Sequence, residues 1–310
     1  MSKLTLKIVV YGLLASLFFS STFIFNKFIA QDGGHWFWSA TLRYIYMLLL
    51  LCIGFYIFKG YGYLKSLFIE FYNYFLFWSI SGSIGFGVFY ALICYVADSS
   101  PAWVVATTWQ FTIIATLFIL FFFGKKISKL TWFFVVIIFI GISLINITYI
   151  SIDNITTQIF NIFLILIASF AYPIGNQLVW ELQNNESLCQ IRKDIIRNTF
   201  SKVFLLSLGS LPFWLILFIV LDVDKPSVNQ YISMLLVAIF SGIMATSLFL
   251  YARAKANSSS KIALVDSTQS GEVLFTLIFE IIFLTVLLPS SIGIIGIFFT
   301  IIGLVGLSFI

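Results

Sequence analysis

Apolar residues arrive along this chain in long blocks separated by short polar links. A helix needs roughly 20 residues to cross ~30 Å of hydrocarbon. Ten such blocks can be laid out, at about 8–30, 36–58, 73–97, 101–123, 130–150, 156–180, 199–221, 231–252, 262–288 and 290–310. The links are short, the longest running from Glu181 to Asn198. The pattern predicts an all-α membrane protein with ten transmembrane helices. Pro101 falls at a helix start, where its missing N–H is harmless, whereas Pro173 falls inside the sixth span and predicts a kink or break.

Charge placement orients the spans. With the N-terminus cytoplasmic, fourteen basic residues flank or fill the inner links, among them Lys3, Lys125, Arg192, Lys202 and Arg253. The outer links hold only Lys225, and Lys27 and Arg43 lie within spans. This positive-inside asymmetry puts both termini in the cytoplasm. A shift of 160 residues, without gaps, gives nine identities across the 37 positions from Ser81 to Leu117, including Ser81-Gly82 with Ser241-Gly242 and Thr108 with Thr268. It matches spans three and four to spans eight and nine. Five spans per half is an odd number, so the expectation is two inverted five-helix repeats, 1–150 and 151–310, in one membrane domain.

Composition agrees. The chain is 61% hydrophobic and 9% charged, against about 25% charged in soluble domains. The net charge of +5 is a matter of topology, and no nucleic-acid partner is expected. Cys52, Cys94 and Cys189 lie far apart and His35 is the single histidine, so neither a disulfide framework nor a metal site is implied. No cofactor is expected either. Lys3 and Lys7 precede the first apolar run but no cleavage-like site follows it, so that run is read as a retained helix. Walker, GxSxG and HExxH motifs are absent, which argues against an enzyme and against an ATP-driven pump on this chain.

The stretch Asp266-Ser267-Thr268-Gln269-Ser270-Gly271-Glu272 opens the ninth span without one aliphatic side chain. A carboxylate at mid-bilayer costs at least ~3 kcal/mol, so this stripe must face a wet cavity or polar partners within the bundle. Glu272, about 15 Å into its helix, is the expected proton- or cation-binding carboxylate, with a structural hydrogen-bonded acid as the plainer reading. Arg43 needs a partner, either Glu280 or a substrate carboxylate, while Lys27 near its helix end reads as snorkelling or ion-paired. Gln110, Gln269, Thr268, Ser270 and Asn176 are interhelical glue singly and a cavity wall as a cluster. Trp103, Trp109 and Tyr90 offer stacking or cation–π surface. Two glycine sets, Gly82, Gly85 and Gly87 and then Gly293, Gly296, Gly303 and Gly306, predict close helix packing within the fold or between subunits.

Several strings carry a resemblance: Asn26-Lys27 late in span one, Arg43 inside span two, Ser99-Ser100-Pro101-Ala102 opening span four, and above all Ala254-Lys255-Ala256-Asn257-Ser258-Ser259-Ser260-Lys261 ahead of the polar stripe. With ten spans as five plus five, the whole chain resembles the drug/metabolite transporter superfamily and, within it, the putative multidrug resistance efflux transporter family. The resemblance implies a central cavity, alternating access and export of small organic, drug-like or cationic molecules across the cell membrane, with a proton or other ion as coupling partner. Span one here has no carboxylate, so the first-helix glutamate of the small four-helix members has no positional counterpart. Two other readings stay open: a narrower metabolite or amino-acid carrier with Arg43 on a substrate carboxylate, and a non-transporting membrane component.

Overall fold

The computed structural model describes residues 3–124, 126–150, 154–184, 192–284 and 289–307. The ends of the last two expected spans, Lys125 and Cys189 lie outside the described residues, as does most of the link after Asn184. The helices in chain order are α1 (Lys3–Gln31), α2 (Trp36–Lys59), α3 (Tyr61–Asn73), α4 (Phe75–Ala97), α5 (Ala102–Phe122), α6 (Lys129–Tyr149), α7 (Ile155–Asn184), α8 (Lys193–Ile196), α9 (Thr199–Val220), α10 (Val228–Lys255), α11 (259–284) and α12 (Ser291–Leu307). Among the described residues there is no strand, and nine helices, α1, α2, α4 to α7 and α9 to α11, are long and apolar enough to cross a bilayer. The last, α12, has 17 described residues, about 26 Å at helical rise. The protein is a multi-pass membrane protein.

One element was not anticipated. The link after the second span contains the amphipathic helix α3, which buries Ser66, Leu67 and Glu70 and exposes Tyr61 and Tyr72. Gly60, at φ 79°, turns the chain between α2 and α3 in a region that a side chain would strain.

The bundle is apolar outside and polar within, the reverse of a soluble domain. α1 shows why. Ser16, Ser20, Thr22 and Asn26 form a buried stripe, while Leu13, Leu14 and Phe28 face outward. α1 packs on α10 and α11, and α7 packs on α4 and α5; α2 meets α10, and α9 meets α4. α6 pairs with α12, where Gly141 and Gly296 each lie against the other's carbonyl oxygen and Gly303 against Phe134 and Ile138. The second glycine set thus packs inside the fold. At the α4–α7 crossing a Cβ built on Gly175 would stand 2.5 Å from the Gly85 Cα.

Four helices are irregular, in the two pairs that the 160-residue shift relates, although under the shift Ser83–Val88 falls on 243–248 and overlaps the α10 segment at 243–245 alone. α4 widens into a π-helical segment at Ser83–Val88 and α10 does so at Ala238–Ala245. α5 breaks at Gln110, where Gln110 N donates to Thr107 O and Ile113 N to Gln110 O. α11 tightens into a 3₁₀ turn at Thr268–Ser270, and Gln110 falls on Ser270 under the shift. Pro173 sits inside α7, which remains one helix by backbone bonding.

Candidate functional site

These irregular segments surround a small internal cavity of about 20 Å³, the space open to the centre of a water-sized sphere. That is room for about one water, not for an organic solute. α2 contributes Arg43, α11 contributes Gln269 and Glu272, and α10 contributes Ser241 from its π-helical segment. Aromatic walls come from Phe19 and Phe23 on α1, Phe89 on α4, Trp109 beside the α5 break and Tyr172 just before Pro173 on α7. Phe89, Trp109 and Tyr172 touch one another, with ring centroids 4.7 to 5.5 Å apart.

Arg43 is 3% exposed and Glu272 1% exposed. The guanidinium carbon lies 4.1 Å from the Tyr90 ring centroid, a cation–π seat. Tyr90 in turn donates to Asn26 Oδ1 at 3.3 Å, which fixes the ring behind the cation. Arg43 Nε and Glu272 Oε1 find no hydrogen-bond partner among the described residues, and the two side chains form no contact ion pair there. Both side chains line the same cavity.

The other residues singled out from sequence are divided among different tasks. Gln269 and Trp109 line the cavity, and Tyr90 backs it. Gln110 donates to Ala106 O at 3.0 Å and stabilises the α5 break. Thr268 donates to Val265 O at 2.6 Å and packs against Gly12, while its carbonyl, which also accepts from Gly271 N in the 3₁₀ turn, receives Ser16 Oγ at 2.6 Å. Asn176 lines a second, smaller cavity on the other side of Pro173. The side chain of Ser270 lies outside the described residues. Trp103 packs with Val104, Ile145 and Val273 away from the cavity.

Glu280 is not beside Arg43. Its Oε1 and Oε2 accept from Ala102 N at 3.0 Å and Trp103 N at 2.8 Å, so it caps the start of α5, whose own N-cap residue is Pro101 and offers no side-chain acceptor. Lys27 donates to Ala97 O and Asp98 O and covers the end of α4.

Two features escaped the sequence reading. Thr22 Oγ1 donates to Ser241 Oγ in the lining of the cavity, and their chain neighbours Ser21 and Phe240 line a groove of about 610 Å³ with Phe18, Phe25, Phe279 and Phe283. Near the end of α10 and the start of the polar stripe of α11, Arg253 and Asp266 form an ion pair of 3.3 Å, both 3% exposed. Arg253 also donates to Gln177 Oε1 at 3.1 Å, and buried Lys202 donates to Gln183 Oε1 at 2.8 Å. Arg253 and Lys202 are therefore internal structural charges rather than free inner-surface ones; a single basic residue on a helix end gives no sequence sign of which it is.

The EmrE family model, described as "Putative multidrug resistance efflux transporter", matches residues 6–310. The chain belongs to that family. This is a family of transporters within the drug/metabolite transporter superfamily. Similar relatives include "Uncharacterized protein YjlA" of Bacillus subtilis (strain 168), 35% identical over 315 residues and covering 96% of this chain and 93% of the relative. Another is the "Uncharacterized 42.1 kDa protein in intracellular alkaline protease 3'region" of Shouchella clausii, 33% identical over 281 residues, covering 86% of this chain and 70% of the relative. A solved chain described as "Crystal structure of protein" shares the fold at a TM-score of 0.63, with 10% identity over 96% of this chain and 95% of that one.

Proposed function

We propose that the protein is a secondary transporter of the cell membrane that exports small organic molecules by alternating access around the Arg43–Glu272 cavity. The carrying observation is that two opposite, buried charges line one small cavity where α5, α10 and α11 lose regular helical geometry. Irregular backbone at membrane depth is tolerated where it is buried in protein or lines a cavity. Both termini are cytoplasmic, and the ten apolar helices form two inverted repeats, 1–150 and 151–310. The partly overlapping π-helical segments, the matched breaks and the reciprocal packing of α1 on α10–α11 and α7 on α4–α5 support the repeat. Glu272 is the coupling carboxylate: it takes either a proton or a cationic substrate group, so the two exchange. The Phe-lined groove suits drug-like solutes arriving from the bilayer.

The test replaces Cys52, Cys94 and Cys189 by Ala and introduces Gln269→Cys. A membrane-impermeant maleimide should label that cysteine in right-side-out and in inside-out vesicles. Labelling from one face alone, or from neither, sinks alternating access. Glu272→Gln in proteoliposomes should abolish the pH dependence of flux, which separates coupling from access.

A further inference from the structure

We infer that the central cavity takes a zwitterion, one molecule whose anionic group pairs with Arg43 and whose amine pairs with Glu272, with its apolar part against Phe89, Trp109 and Tyr172. The inference rests on the transport reading and narrows its substrate class.

A cavity built for a lipophilic cation needs a carboxylate and aromatic walls, but no guanidinium. Here a guanidinium lines the same cavity as the carboxylate, and both groups are almost completely buried. Buried opposite charges ordinarily close on each other, because an unpaired one costs several kcal/mol. These two do not close: Arg43 stays 4.1 Å above Tyr90, and Arg43 Nε and Glu272 Oε1 both lack a partner among the described residues. Arg43 is held back by Tyr44 as well, whose ring centroid lies 5.7 Å from the guanidinium carbon. The aromatic seat keeps the cation poised and leaves an edge of its fork for another acceptor. A carboxylate meets a guanidinium through two parallel N–H···O bonds, while an ammonium presents three donors to Glu272. Ser241, Gln269 and Thr22 line the same cavity and supply neutral hydrogen-bonding groups. A molecule bearing only one charge would leave the opposite buried group uncompensated, so the site discriminates against pure cations and pure anions alike.

The test uses detergent-purified protein and three matched sets: L-phenylalanine, phenethylamine and 3-phenylpropanoate; L-tryptophan, tryptamine and indole-3-propanoate; L-leucine, isoamylamine and 4-methylpentanoate. Apparent Kd is read from the ligand dependence of the melting transition. In at least one set the zwitterion should bind at least about tenfold tighter than both partners, as expected for one lost charge-assisted bond. Arg43→Gln should erase the advantage over the amine, and Glu272→Gln the advantage over the acid. Where no set favours the zwitterion, including the case where nothing binds, the proposal is overturned. A preference for the amine in every set marks a cation site. Both-face labelling of Gln269→Cys would survive either failure, so the transport reading stands or falls separately.

Discussion

Arg253 on α10 and Asp266 on α11 hold each other at 3.3 Å with both side chains 3% exposed. Removing one member of such a pair strands the other without water, whereas removing both restores an apolar contact. Asp266→Asn should therefore cost about 3 kcal/mol or more of stability, and Arg253→Met with Asp266→Leu should recover most of it. Melting of wild type, Arg253→Met, Asp266→Leu and the double variant in detergent closes the cycle. Additive losses would show that the pair contributes nothing as a pair.

Glu280 is a structural carboxylate on the same helix as Glu272. Its two oxygens hold the first N–H groups of α5, so Glu280→Ala should lower stability by about 1–2 kcal/mol, the size of a lost cap with its favourable helix-end charge. Glu280→Gln keeps one acceptor oxygen and should lose less. Neither change should alter which member of a matched ligand set binds tightest. A stable Glu280→Ala protein with altered ligand preference would move Glu280 into the site.

Much of this was legible in the chain. Blocks of apolar residues long enough for a bilayer give the spans, because length and hydropathy are local properties. The shift that pairs Thr108 with Thr268 was legible too, but the breaks beside those residues, at Gln110 and at Thr268–Ser270, were not among the sequence expectations, which put a kink or break at Pro173 instead. What lies across a helix is not local. Arg43 had two equally plausible acid partners in sequence, Glu280 and a ligand, and only three-dimensional packing shows that Glu280 is used at the α5 terminus. Thr22 carried no signal, being one hydroxyl among many, and Ser241 entered only as half of the Ser81-Gly82 repeat match. Their importance comes from lining the cavity, next in sequence to Ser21 and Phe240 of the groove.

Glycine has opposite values at two places in this bundle. A Cβ at Gly175 would press on the Gly85 Cα, backbone against backbone, with no flexible side chain to yield. Gly175→Ala should cost about 1–3 kcal/mol as overpacking. Gly54, inside α2, has nothing within 4 Å of its built Cβ. Gly54→Ala should gain about 0.5–1 kcal/mol from helix propensity. Opposite shifts in melting temperature are expected, and equal signs would refute the close crossing of α4 and α7.

The Thr22–Ser241 hydrogen bond ties α1 to α10 in the cavity lining, next in sequence to Ser21 and Phe240 of the groove. A cavity of about 20 Å³ cannot admit an amino-acid-sized solute, so some helices around it must part in every cycle. α1 and α10 are the pair whose separation would join the cavity to the groove. Their touching hydroxyls place the two Cβ atoms within disulfide reach. On a background with Cys52, Cys94 and Cys189 replaced by Ala, Thr22→Cys with Ser241→Cys should cross-link under mild oxidant. The oxidised protein should stop pH-driven uptake of the tightest matched-set ligand into proteoliposomes, and reductant should restore it. Each single cysteine should be indifferent to oxidant. Complete cross-linking with undiminished uptake would mean that α1 and α10 stay together throughout, and that access opens instead past the Arg253–Asp266 pair or the Gln230 bonds to His35 O and Ser39.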